Sequence, residues 1–102
     1  MVNHALSPYT ANPIEKKFYV DSTAGPVQIT LPALGLQELV VVKDAFGTSA
    51  SGGTITVLPN AGNIENPSNP GSLGAVAEIS QQGGCVIWQQ FAHNTLIVIA
   101  GP

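Results

Sequence analysis

The sequence predicts an all-β fold, a compact antiparallel sandwich or barrel of about seven short strands with an extended N-terminal arm. Three observations predict it. Apolar and polar residues alternate with a period of two. Glycine and proline, 11 and 8 of the 102 residues, punctuate the chain at steady intervals. Beyond one possible helical turn over residues 33–39, weakened by Gly35, nothing repeats with the 3.6-residue period of a helix. The length suits a single domain, since domains most often run to about 100–150 residues. The chain divides into an arm over residues 1–15 and one β-domain over residues 16–102.

The arm is set apart by Pro8 and Pro13, which hold it extended, and by a scatter of Asn, Ser and Thr. Its apolar members Val2, Leu6, Tyr9 and Ile14 follow no period, so the segment is expected to gain order only on a partner surface. Deleting it is expected to leave the β-domain folded. Phe18 and Val20 give the first strand, and residues 21–26 (Asp-Ser-Thr-Ala-Gly-Pro) give a turn. Val27, Ile29 and Leu31 then point one way while Gln28 and Thr30 point the other. Ile55 and Val57 repeat this alternation between two outward threonines. Turns follow at residues 44–53, 59–71, 81–84 and 92–94, each rich in Gly, Asn, Ser or Pro. Residues 60–72 suit a surface Ω-type loop. Gly25-Pro-Val-Gln-Ile-Thr-Leu-Pro32 and Gly53-Thr-Ile-Thr-Val-Leu-Pro59 echo one another, but two copies are fewer than a solenoid needs.

Residues 39–42, 85–91 and 96–100 differ from the other strands because apolar side chains occupy both faces. A strand of this kind is covered on two sides, and a chain this small lacks the material to cover three of them twice. Packing against copies of itself supplies the cover. The candidate interface residues are Leu39, Val41, Trp88, Phe91, Ile97 and Ile99. Charge is scarce, with three Lys, no Arg and six acidic residues for a net charge of −3. Ordinary domains carry about a quarter of their residues charged, which again points to a surface covered by something else.

The same composition excludes function classes. Nucleic-acid binding needs a basic stripe to displace phosphate counterions, and none exists. No apolar run approaches the roughly 20 residues that span a bilayer, and residues 1–15 lack the pattern of a secretory signal. The expectation is a soluble, non-exported chain beginning at its own Met, with no nucleic-acid or membrane partner. A single cysteine excludes an internal disulfide. Cys85 opens an apolar strand with no cation nearby to lower its pKa, so it reads as a buried structural thiol. His4 and His93 have no neighbouring acid and no Ser lies in a nucleophile elbow. Neither histidine is expected to act in catalysis, and a metal site would need three His93 copies on a threefold axis. Asp21, Asp44 and Glu65 lack calcium-loop spacing and read as solvated turn residues. No enzyme activity, cofactor or metal is expected. Trp88 and Tyr19, were they exposed, could stack on sugars beside residues 44–53 or 60–72, although the core or an interface is the expected place for Trp88.

The stretches Phe18-Tyr-Val-Asp-Ser-Thr-Ala-Gly-Pro-Val-Gln-Ile-Thr-Leu-Pro32, Val41-Val-Lys-Asp-Ala-Phe-Gly47, Gly53-Thr-Ile-Thr-Val57, Gly84-Cys-Val-Ile-Trp88 and Asn94-Thr-Leu-Ile-Val-Ile99 together resemble a pattern found in virion proteins of tailed bacteriophages. It recurs in small trimeric β-modules of head decorations, head fibres and tail fibres. The pattern often ends on a Trp-Tyr pair where this chain has Leu96-Ile97. The resemblance implies a non-enzymatic structural protein on the virion, assembled in the host cytoplasm. Its most direct form is a trimeric capsid decoration or cement protein that docks on the major capsid protein through Val2, Leu6, Tyr9 and Ile14 and stabilises the shell. The alternative it implies is a carbohydrate- or receptor-binding module displayed on a head or tail fibre.

Overall fold

A computed structural model describes residues 1–101; Pro102, the last residue of the expected β-domain, lies outside them. The longer strands follow from their alternation. Val27 and Ile29 of β4 (Val27–Thr30) and Ile55 and Val57 of β6 (Ile55–Leu58) enter the core, while Gln28, Thr30, Thr56 and Leu58 face outward. Val27 pairs with Ile55 and Ile29 with Val57 in parallel register. The two echoing segments of the sequence are therefore neighbouring strands that repeat one job. They belong to a four-stranded sheet ordered β2-β4-β6-β9, with β2 at Tyr9–Thr10 and β9 at Ala77–Ile79.

The second sheet has seven strands. Its order is β1 (Val2–Asn3), β3 (Lys17–Asp21), β5 (Leu39–Asp44), β10 (Cys85–Ala92), β11 (Thr95–Ala100), β7 (Asn63–Glu65) and β8 (Leu73–Gly74). Its inner face contributes Phe18, Val20, Val40, Val42, Val86, Trp88, Leu96 and Ile64 to one core shared with the smaller sheet. The fold is thus an all-β two-layer sandwich, only 18 Å along its shortest axis, as two facing sheets require.

The strand directions differ from the antiparallel expectation, and strand number exceeds seven. From residue 1 to residue 58 the chain alternates between sheets. Strands β1, β3 and β5 stack in parallel in one sheet, and β2, β4 and β6 do so in the other. Each return crossing is made by a strand of the opposite sheet, which supplies the connection that parallel pairing needs. The result is three coils of a short solenoid. Antiparallel pairs come only in the closing part: β6 with β9, β7 with β8, and β10 with both β5 and β11, while β11 pairs with β7 in parallel. Strands β1, β2, β7 and β8 have two or three residues each, too short to carry a legible alternation. Residues 60–72 are accordingly not one irregular loop, because β7 runs through them and buries Ile64. No helical turn forms over residues 33–39.

The N-terminal segment is a correction of a different kind. Residues 1–15 are not a free arm but the first coil of the sandwich. Val2 is 6% exposed within the core and pairs with Val20, while Tyr9 pairs with Ile29. A 3₁₀ turn over His4–Leu6 joins the two strands, with the Asn3 side chain accepting from the Leu6 amide. His4 Nδ1 lies 2.6 Å from the Pro26 carbonyl, and its ring covers Gly25, where an added Cβ would approach it to 2.9 Å. Ser7 Oγ accepts from the Gln28 amide, and Glu15 accepts from both the Tyr9 hydroxyl and the Asn12 amide. Sequence reasoning missed this because coil pairing needs one side chain per strand to enter the core, and one side chain leaves no period. Removing residues 1–14 is therefore expected to lower the melting temperature rather than leave the domain intact. An unchanged melting curve would restore the free-arm reading.

At the far end, the tight turn of the β10–β11 hairpin holds Asn94 at φ +54, and its carbonyl accepts from Asn63 N–H at 2.9 Å. Gly62, at φ +78, passes so close that a Cβ there would sit 2.0 Å from the Asn94 oxygen. Gly62→Ala is expected to cost at least about 1–3 kcal/mol, read by chemical denaturation, because neither backbone can retreat.

Candidate functional site

The outer faces of the two sheets differ in polarity. On the four-stranded sheet, the outward side chains are Thr10, Gln28, Thr30, Thr56, Leu58 and Glu78, a polar surface suited to water. On the seven-stranded sheet, the register lays Leu39, Gln89 and Ile97 in one row, Lys17, Val41 and Ile87 in the next, and Tyr19, Lys43 and Cys85 in a third. Ile99 extends the apolar area along β11. An antiparallel or mixed sheet with one free face carries polar residues there, so these aliphatic side chains, interrupted by Gln89, form a candidate contact surface. Its charge comes from Lys17, beside Val41, and Lys43, between Tyr19 and Cys85.

Two β-bulges shape this face. The β10–β11 register shifts between Ile87 and Trp88 and again between Gln90 and Ala92. Ile99 and Phe91 are the residues left unpaired, and both project outward, Phe91 58% exposed. Of the six interface candidates, Leu39, Val41, Phe91, Ile97 and Ile99 lie on this outer side as exposed or half-buried residues. Ile87, half-buried on the outer side of β10, belongs with them.

Trp88 is the exception. It is 0% exposed, faces the core, and donates its indole N–H to the Glu65 carbonyl at 2.9 Å. It is a core residue, unavailable to an oligomer interface or to a stacked sugar. Alternation decides this, since Val86 and Trp88 share the inner face and Cys85, Ile87 and Gln89 the outer one. Cys85 is half-buried on that outer side rather than a buried core thiol. Of the docking candidates, Val2 is in the core and Tyr9 is half-buried, whereas Leu6 and Ile14 are open, Ile14 85% exposed.

Two carboxylates read as solvated turn residues are structural anchors. Asp44 is buried at the end of β5 and accepts five hydrogen bonds: from the Gly47, Thr48, Ser49 and Gly83 amides and from the Ser49 hydroxyl. Ser49 Oγ lies 2.8 Å from the Gln81 carbonyl as well, so its single proton is shared between Gln81 and Asp44, and one clasp holds residues 44–53 against residues 81–84. Burial pushes the Asp44 carboxyl upward, but the bonds from Ser49, Gly83 and Thr48 outweigh it, and its pKa lies below the usual aspartate value. Glu65 accepts from Val98 N–H and Gly71 N–H, tying β7 to β11 and to the following turn. Asp21 keeps its local role, accepting from the Thr23 amide and hydroxyl, which lowers its pKa. Among the described residues no three His, Cys, Asp or Glu side chains gather where a metal ion could sit. His4 and His93 lie in separate places, the first against Pro26 and the second in the β10–β11 turn.

No family model matches the chain, and no curated protein is detectably similar to it in sequence.

Proposed function

We propose that the chain is a non-enzymatic structural protein of a tailed-bacteriophage virion, a trimeric decoration or cement protein that binds the capsid shell. The carrying observation is the aliphatic outer face of the seven-stranded sheet. Burying a half-exposed Leu or Ile contributes about 1 kcal/mol, and Leu39, Val41, Ile87, Ile97 and Ile99 lie together on one rigid surface. Self-association covers that surface, while the threonine-rich opposite face remains in water. In this reading the first coil offers Leu6 and Ile14 to the shell, while Val2 and Tyr9 hold that coil in place. The alternative, a carbohydrate- or receptor-binding module on a head or tail fibre, has exposed Tyr19 and Phe91 in its favour but not Trp88, which is enclosed.

Co-sedimentation with undecorated particles of the same virion tests the proposal. The protein is expected to pellet with the particles and to saturate at a fixed ratio to shell subunits. The double change Leu6→Asp and Ile14→Asp should lower retention while leaving the melting temperature unchanged, because both side chains are exposed. Failure of the parent protein to co-sediment would overturn the shell-binding reading. Equal retention of the double variant would remove the first coil from the contact.

A further inference from the structure

We infer that the cleft beside the β10–β11 turn is a binding site for a single uncharged sugar ring. The cleft holds about 270 Å³, and its lining combines apolar Pro32, Ala33, Leu34, Pro59, Ala61 and Leu96 with polar Asn60, Gln90, His93 and Asn94. It lies just below the size range of drug-sized sites, about 300–1,000 Å³, so one ring is the ligand it can enclose.

The chemistry of the lining selects the class. No Lys, Asp or Glu lines the cleft, so nothing there compensates a charged ligand for lost hydration. No Phe, Tyr or Trp lines it either, which leaves a flat base or aromatic ligand just the His93 imidazole to stack on. The polar lining consists of three amides and an imidazole. Each amide offers both a donor and an acceptor, as does neutral imidazole, and hydroxyl groups require the same mixture. Two prolines and two leucines in the same lining supply apolar contact for the C–H face of a pyranose. A ligand with hydroxyls at its edge and an apolar face is a sugar.

The walls are held before any ligand arrives. Gln90 Nε2 donates to the Leu34 carbonyl at 2.9 Å, while the Gln90 backbone exchanges bonds with Gln37 and Glu38. This fixes residues 32–38 as one wall and leaves the Gln90 carbonyl oxygen of the amide side chain free to accept. On the other side, Asn94 Nδ2 lies 3.1 Å from His93 Nε2, and the Asn94 backbone is held by Asn63 and closely backed by Gly62. Such preorganisation limits the entropy that binding must overcome. The site shares no residue with the aliphatic sheet face and does not depend on the shell-binding reading.

Titration of ¹⁵N-labelled protein with the methyl glycosides of glucose, galactose, mannose and N-acetylglucosamine tests the inference. At least one is expected to bind saturably with a Kd on the order of 1 mM, the affinity of a ligand this small. Its amide shifts should be confined to Asn60, Ala61, Gln90, His93 and Asn94. The double change Asn60→Ala and His93→Ala removes two exposed side chains, so it should keep the melting temperature and weaken binding at least about tenfold. Absence of saturable shifts with all four glycosides, shifts centred elsewhere, or undiminished binding by the double variant would overturn it.

Discussion

Trp88→Ala is expected to destabilise the protein by about 3–5 kcal/mol, the range for removing a fully buried large aromatic side chain. That is a large part of the roughly 5–15 kcal/mol that holds a domain together. Trp88 sits on the inner face of β10, the strand that bridges β5 and β11, so the cavity opens beneath the centre of the larger sheet. Its indole N–H also satisfies the Glu65 carbonyl. Trp88→Phe should separate the two contributions, retaining most of the packing while leaving that carbonyl without its partner at a cost of about 1–3 kcal/mol. Chemical denaturation of both variants checks the values. A loss below about 1 kcal/mol for the alanine variant would place the ring outside the core.

Asp44→Ala is expected to cost about 3 kcal/mol or more, since four backbone amides lose their acceptor and each unmet donor is expensive, while the Ser49 hydroxyl keeps the Gln81 carbonyl. The same carboxylate makes stability depend on acidity. Its pKa is lower in the folded protein than in the unfolded chain, so the unfolded chain takes up protons first as the solution is acidified. The stabilisation is complete above the ordinary aspartate value of about 3.9 and is lost as pH falls through the folded value. Glu15, through the Tyr9 hydroxyl and the Asn12 amide, and Asp21, through Thr23, shift in the same direction, but both are far more open to solvent than Asp44. Asp44→Asn should therefore remove most of the acid sensitivity while leaving that of the exposed pair. Parallel melting curves of parent and variant from neutral to acid pH decide it. Identical acid slopes would show that the clasp does not titrate with folding.

The alternating strands were legible because each buries several residues on one face. Val27, Ile29 and Leu31, and likewise Ile55 and Val57, leave a period that sequence alone displays. The doubled apolar character of residues 39–42 and 96–100 was legible for the same reason, and it points directly to the outer sheet face. What escaped reading was coil pairing. Val2 and Ile64 each enter the core from a strand of two or three residues, and a single inward side chain has no period. The echo of Gly25 to Pro32 in Gly53 to Pro59 was the available signal for the parallel coil, weak because the intervening crossings differ in length. Asp44 was misread because a carboxylate before Gly47, Thr48 and Ser49 looks like ordinary turn chemistry. The donor that shows it to be a clasp, Gly83, is remote in sequence. The cleft escaped for a like reason, since residues 32–34, 59–61 and 90–96 meet only when the sandwich closes.

In the proposed trimer, copies of the same chain cover the outer face of the seven-stranded sheet. Native mass measurement across a wide range of protein concentration, on the parent and on a variant carrying Val41→Glu and Ile99→Glu, tests it most directly. Both changes lie on the outer side of β5 and β11 and leave the core residues Val40, Val42 and Leu96 in place. The account predicts a three-chain mass for the parent and a folded single chain for the variant. A parent protein that remains a single chain at every concentration would contradict it.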